Sequence, residues 1–140
     1  MKWIVANIKW IMIVSGALTF TMVYAAVAPQ AALQSNFGSV LEGPVADVVV
    51  RNWGALIGLV GAMLVAGAFD PGSRTLALVV AGASKLVFIG LVLAHGRQFL
   101  GNQAGMAIAI DAVWVAVYAA YLVGAREGRR RPAHERIEAI

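Results

Sequence analysis

The sequence predicts an all-α integral membrane protein: a four-helix bundle running antiparallel, up-down-up-down, with both termini cytoplasmic. Three observations predict it. Of 140 residues, 61% are apolar and only 13% are charged, against about 25% charged in a soluble domain. The apolar residues fall in four runs, each near the roughly 20 residues that a helix needs to cross a hydrocarbon core. The basic residues gather between those runs, the arrangement that sets orientation in a bilayer. Nucleic-acid binding needs a folded basic face instead, and a soluble enzyme or a disordered chain needs far more polar residues.

The first span takes about 8–28. Lys9 can carry its ammonium to the headgroups, and Trp3 and Trp10 suit the interface. Ala26-Val27-Ala28 imitates a signal-peptide cleavage site. The run exceeds a 7–15-residue signal core and Pro29 follows at once, so a retained span is expected. Residues 29–43 form the longest connection. Leu33, Phe37, Val40 and Leu41 are spaced to share one face of a short helix on the membrane surface. Gly38 can break it, which leaves an irregular loop as the alternative.

Pro44 after Gly43 reads as the first position of the second helix, whose span takes about 46–69. Asp47 and Arg51 are four apart and can pair above the hydrocarbon. Asp70-Pro71-Gly72-Ser73-Arg74 is a tight turn. The third span takes about 75–95, residues 96–103 a loop, and the fourth span about 104–124. The organisation is one transmembrane unit, 1–125, and a basic cytoplasmic tail, 126–140.

Orientation follows from the Lys and Arg residues. Lys2, Lys9, Arg74, Arg126, Arg129, Arg130, Arg131 and Arg136 share one side, Arg51 and Arg97 the other, and Lys85 lies within a span. The basic side faces the cytoplasm, here across a bacterial inner membrane. Tyr118 and Tyr121 are then expected near the inner interface, Trp53 and Tyr24 near the outer one.

Helices in lipid associate by close packing and polar contacts. Gly54, Gly58, Ala62 and Ala66 make a small-residue stripe at four-residue spacing. It serves packing within the bundle or the face of a homodimer.

Two ionisable residues fall inside spans, Lys85 and Asp111. Each costs about 2.5–3.5 kcal/mol near a span centre on insertion scales. Lys85 is about 15 Å from the inner edge by helical rise, and Asp111 about 20 Å in a core of about 30 Å. A lysine side chain bridges that offset, so an intramembrane Lys85–Asp111 ion pair is expected, either fixing helix register or serving a proton- or ligand-linked site. Arg51, Asn52, His95 and Arg97 form an outer polar cluster that can converge on an anionic headgroup or small acid, or simply anchor the interface.

Catalytic and cofactor signatures are absent. With no cysteine, disulfides and thiolate metal sites are excluded. His95 and His134 fall on opposite sides, so they cannot share a metal or haem. No cofactor, no metal and no enzymatic activity are expected.

The layout resembles small four-span bacterial inner-membrane proteins, the DoxX-like group and related domains of unknown function. Pro29, Asn36-Phe37-Gly38, Arg51-Asn52-Trp53-Gly54, Gly96-Arg97 and Asp111 carry the resemblance over about 10–125; Lys85 departs from it. Most members of such families have no established activity, and some look like accessory subunits of membrane redox systems. The small-residue stripe and the missing catalytic groups make the expected function an accessory or partner-binding subunit, contacting lipid, other membrane subunits or a second copy of itself. A small transporter or ligand-binding bundle using the Lys85–Asp111 pair is the alternative, and a membrane enzyme acting on lipid or quinone the third reading.

Overall fold

The computed structural model describes residues 2–135, with side chains described for 3–126. All regular structure among the described residues is helical. Four helices are long and apolar enough to cross a membrane: Trp3–Val27, Pro44–Phe69, Arg74–His95 and Gln103–Arg126.

The first of these is not one uniform helix. α1 (Lys2–Phe20) tightens into a 3₁₀ turn at Thr21–Val23 and resumes as α2 (Tyr24–Val27). The Thr21 hydroxyl donates to the Leu18 carbonyl at 2.6 Å, a bond that competes with the helical ladder. The end at Ala28 is dictated by Pro29, because a proline ring drives the preceding residue out of the helical region. Ala28 accordingly sits at φ −126°, ψ 71°. Pro29 then opens α3 (Pro29–Phe37), where its missing N–H costs nothing. Gly38, at φ 66°, closes α3 in the left-handed conformation and donates its amide to Gln34, a common helix ending. The connection is thus a short helix over only its first half. Val40 and Leu41 lie beyond Gly38, exposed, and do not share the helical face expected of them.

α4 (Pro44–Phe69) and α5 (Arg74–His95) are joined by the turn at Asp70. Its carboxylate accepts the amides of Gly72 at 3.0 Å and Ser73 at 3.1 Å, the side-chain mimic of a backbone turn. A 3₁₀ segment (Arg97–Gly101) leads into α6 (Gln103–Glu135). α6 does not end near residue 124 as expected but runs on, for 33 residues or about 50 Å. The side chains of Lys2, Arg129, Arg130, Arg131, His134 and Arg136, placed on the basic side by sequence, lie outside the described residues.

Each long helix packs on two others: α1 on α4 and α6, and α5 on α4 and α6. Glycines set the closest approach. Gly16 of α1 faces Gly61 of α4, and a Cβ added at Gly61 would strike the backbone of Phe20. A Cβ at Gly54 would come within 2.6 Å of the Ala26 nitrogen. The stripe therefore differs from the one read at four-residue spacing. Gly54 and Gly58 are buried, but Ala62 and Ala66 are exposed, and Gly61, Leu64 and Ala68 continue the contact. The cause is the helix period of 3.6 residues, so a row at strict spacing of four drifts round the surface.

The packed core fills the end of the bundle nearest the Asp70 turn. It joins Ile8, Ile11 and Met12 of α1 to Leu64 and Ala68 of α4, Ala77, Leu78 and Ala81 of α5, and Tyr118 of α6. Tyr118 is 1% exposed. Its hydroxyl donates to Ser15 Oγ at 2.7 Å, satisfying the one polar atom that burial would otherwise strand.

Candidate functional site

Lys85 lies half-way along α5, at a position where one helix face looks into the bundle. Asp111 lies two turns into α6 and faces it. Their side chains are 9% and 17% exposed, and Lys85 Nζ donates to Asp111 Oδ1. A second Lys85 proton goes to Thr19 Oγ1 on α1 at 3.3 Å. Three helices thus meet at one ammonium. Burying either charge alone is expensive, and pairing with additional hydrogen bonds is what makes it tolerable.

The pair does not sit in a closed core. It forms the polar floor of a half-enclosed cavity of about 250 Å³. Thr19, Ser84, Lys85 and Asp111 line its depth, Trp114 and Phe88 its walls, and Asn36, Trp53 and Gln103 the end toward α3. The core described above stops it from running through to the Asp70 turn. The lining is largely apolar with a few convergent polar groups, the usual make-up of a small-molecule site.

The outer polar cluster does not assemble. Arg51 pairs with Asp47 at 2.7 Å and donates Nη1 to the carbonyls of Ala26 at 2.7 Å and Val27 at 3.2 Å. Arg97, just past the end of α5, donates to the Leu93 carbonyl of that helix at 2.7 Å. Asn52 and His95 are exposed and have no side-chain hydrogen bond among the described residues. The two arginines are spent on helix ends instead of converging on one mouth. A carbonyl at a helix terminus lacks an intrahelical partner, and an arginine within reach satisfies it more cheaply than a distant ligand.

Aromatic rings take the place that cluster was expected to fill. Phe37 of α3 packs on Trp53 of α4, with centroids 6.0 Å apart. It meets Phe99 edge-on at 5.3 Å. Asn102 Nδ2 donates to the Phe37 carbonyl at 3.1 Å. The α3 segment is thereby tied to the Arg97–Gly101 segment across the end of the cavity. Thr19, Ser84, Trp114 and Phe99 were not singled out by sequence reasoning, and Phe37 and Trp53 were read as interfacial residues, not as partners of each other. A signal existed for part of it: Ser15 and Thr19 share a face of α1, and Asp111 and Tyr118 share a face of α6. Among the described residues, no cluster of His, Cys, Asp and Glu is placed to hold a metal.

No protein-family model matches the chain, no curated protein matches it, and no solved structure matches it. The likeness to DoxX-like proteins carries no part of the reading that follows.

Proposed function

We infer that this is a multi-pass membrane protein of the bacterial inner membrane, its four long helices threading the bilayer alternately up and down. Its interior binds a small molecule at the Lys85–Asp111 pair. The membrane reading rests on four long apolar helices whose outward faces carry large apolar side chains such as Val45, Leu59 and Val87. Lipid accounts for that exposure, so no protein partner is required to cover it. The contact ladder supports the alternating course: Gly16 and Phe20 of α1 and Ala26 of α2 follow one another along the first span while Gly61 and Gly54 descend along α4. Lys9 over the Phe69 ring at 4.6 Å and Arg74 at the adjoining turn support a cytoplasmic position for that end.

One observation carries the ligand reading over the accessory-subunit reading: the buried pair borders a cavity instead of being packed on all sides. A pair that only fixes helix register gains nothing from empty space beside it, because unfilled volume forfeits contacts. A pair that receives a ligand needs that space.

The chain has no cysteine, which makes the test clean. Ser84→Cys, on the cavity wall, is expected to react with a small water-soluble thiol reagent in the purified protein. Ala77→Cys, 1% exposed and not part of the cavity lining, serves as the inert control. A Ser84→Cys protein as unreactive as that control would remove the reading.

A further inference from the structure

The hydrogen-bonding capacity left over at the pair defines a ligand class. An ammonium has three protons. Two of Lys85's are taken, by Asp111 Oδ1 and Thr19 Oγ1, which leaves one. Asp111 Oδ2 accepts no hydrogen bond among the described residues. The floor of the cavity therefore presents one donor and one acceptor side by side, with the Ser84 hydroxyl beside them. The pair itself carries no net charge.

Charge then decides among ligands. A bare anion placed here gives the site a net negative charge in a largely apolar cavity, and a bare cation a net positive one. Either is penalised by desolvation. A carboxylate entering with one proton leaves the site neutral. Its C=O accepts from the third Lys85 proton, and its O–H lies on Asp111 Oδ2. That contact is a charge-assisted O–H···O⁻ bond between two carboxyl groups of similar proton affinity; an alcohol or an amide also meets the ionised acceptor there, but as a far less acidic donor it makes a longer and weaker bond. The tail is bounded by volume. An apolar cavity of about 150 Å³ accommodates benzene, so about 250 Å³ accommodates a benzene-sized ring and a carboxyl group, against the Trp114 and Phe88 walls.

We propose that the cavity binds a small monocarboxylic acid with an apolar tail, taking up one proton with each carboxylate, the proton being shared between the ligand and Asp111. This deepens the ligand reading above and rests on it. The proton comes from solvent: one O–H bond forms at the ligand–Asp111 carboxyl pair as one breaks on hydronium or buffer acid, and every other new contact is a hydrogen bond. The other elements around the cavity supply no competing titratable group among the described residues. α1 offers Thr19, α3 Asn36 and α4 Trp53. On α6, the Tyr118 hydroxyl is turned away to Ser15. At the rim, Arg51 and Asp47 engage each other.

The test is calorimetric titration of the full chain in mild detergent with benzoate, benzamide, benzyl alcohol and benzylamine. Measurements span about pH 5.5 to about pH 7.5, where a free carboxylic acid is ionised. Benzoate is expected to bind most tightly at the acid end. Its Kd should rise about tenfold per pH unit, with one proton taken up per benzoate when buffers of different ionisation heat are compared. The wild-type chain alone decides this. Benzoate binding without proton uptake, no benzoate binding at any pH, or benzamide binding as tightly as benzoate at the acid end each overturns the proposal. Asp111→Asn sharpens it: with Lys85 unopposed, benzoate should bind as the anion and its Kd should become flat with pH. A retained tenfold slope in that variant overturns the assignment of the proton to Asp111. If benzyl alcohol or benzylamine binds where benzoate does not, the acid is wrong and the site stands. If none binds and Ser84→Cys is inert, both fall.

Discussion

At the scale of single residues, Lys85 and Asp111 are worth more as partners than either is alone. Lys85→Met leaves a carboxylate in an apolar surrounding, and Asp111→Leu leaves an ammonium. Breaking a buried pair costs about 3–5 kcal/mol, whereas replacing both partners by apolar groups is often close to neutral. Each single variant is expected to lower the thermal midpoint in detergent, and the double variant to recover most of the loss. A double variant as unstable as the sum of the singles would show that the two charges do not act on each other. Asp70 is a second residue with a legible charge effect. The Ser73 hydroxyl beside it, with the amides of Gly72 and Ser73, holds its carboxyl below the usual aspartate range. A group whose acidity is strengthened by folding stabilises above its unfolded pKa and ceases to as pH falls below it. The contribution of the α4–α5 turn should therefore be complete above about pH 4 and fade below. Asp70→Asn, followed by thermal unfolding across that range, is expected to remove the acid-side slope.

At the scale of helices, the arginines have a role that composition concealed. Arg51 caps the carbonyls of Ala26 and Val27, and Arg74 those of Gly67 and Ala68. Arg97 does the same for Leu93. Sequence placed these residues correctly between the apolar runs, because hydropathy reads length and charge directly. Apart from the Asp47–Arg51 pair, four apart on one helix, it did not show what their side chains touch, since a capping contact joins residues up to 25 positions apart. The same limit explains the outer cluster, whose two arginines are taken up by backbone carbonyls that sequence alone did not point to. The glycine stripe failed for a geometric reason: four-residue spacing approximates the helix period over two turns and not over three. Lys85 and Asp111 were legible because depth arithmetic needs only the rise per residue. Thr19 and Ser84 were not, since a hydroxyl in a span raises no alarm by itself. The observed stripe makes a contrasting pair of predictions. Gly61→Ala places a methyl against the Phe20 backbone and the Gly16 carbonyl, and overpacking of this kind costs about 1–3 kcal/mol. Gly90→Ala meets nothing within 4 Å and should stabilise by about 0.5–1 kcal/mol through helix propensity. Equal midpoints for the two variants would contradict the α1–α4 contact.

At the scale of the whole molecule, the two ends of the bundle are built differently. One end is a tight turn over a packed core, and the other is an aromatic tie over a cavity. The proposed orientation puts the first end in the cytoplasm. In intact cells, a membrane-impermeant thiol reagent is expected to label Ser39→Cys, in the connection after α3, and to spare Ser73→Cys until the membrane is opened. The reverse pattern would invert the molecule and turn the cavity inward. The interior pair has an electrical consequence as well. A membrane voltage does work on charge, about 2.3 kcal/mol per elementary charge per 100 mV. Lys85 and Asp111 feel equal and opposite pulls, so a resting potential exerts no net force on the couple, whichever face the cavity opens to.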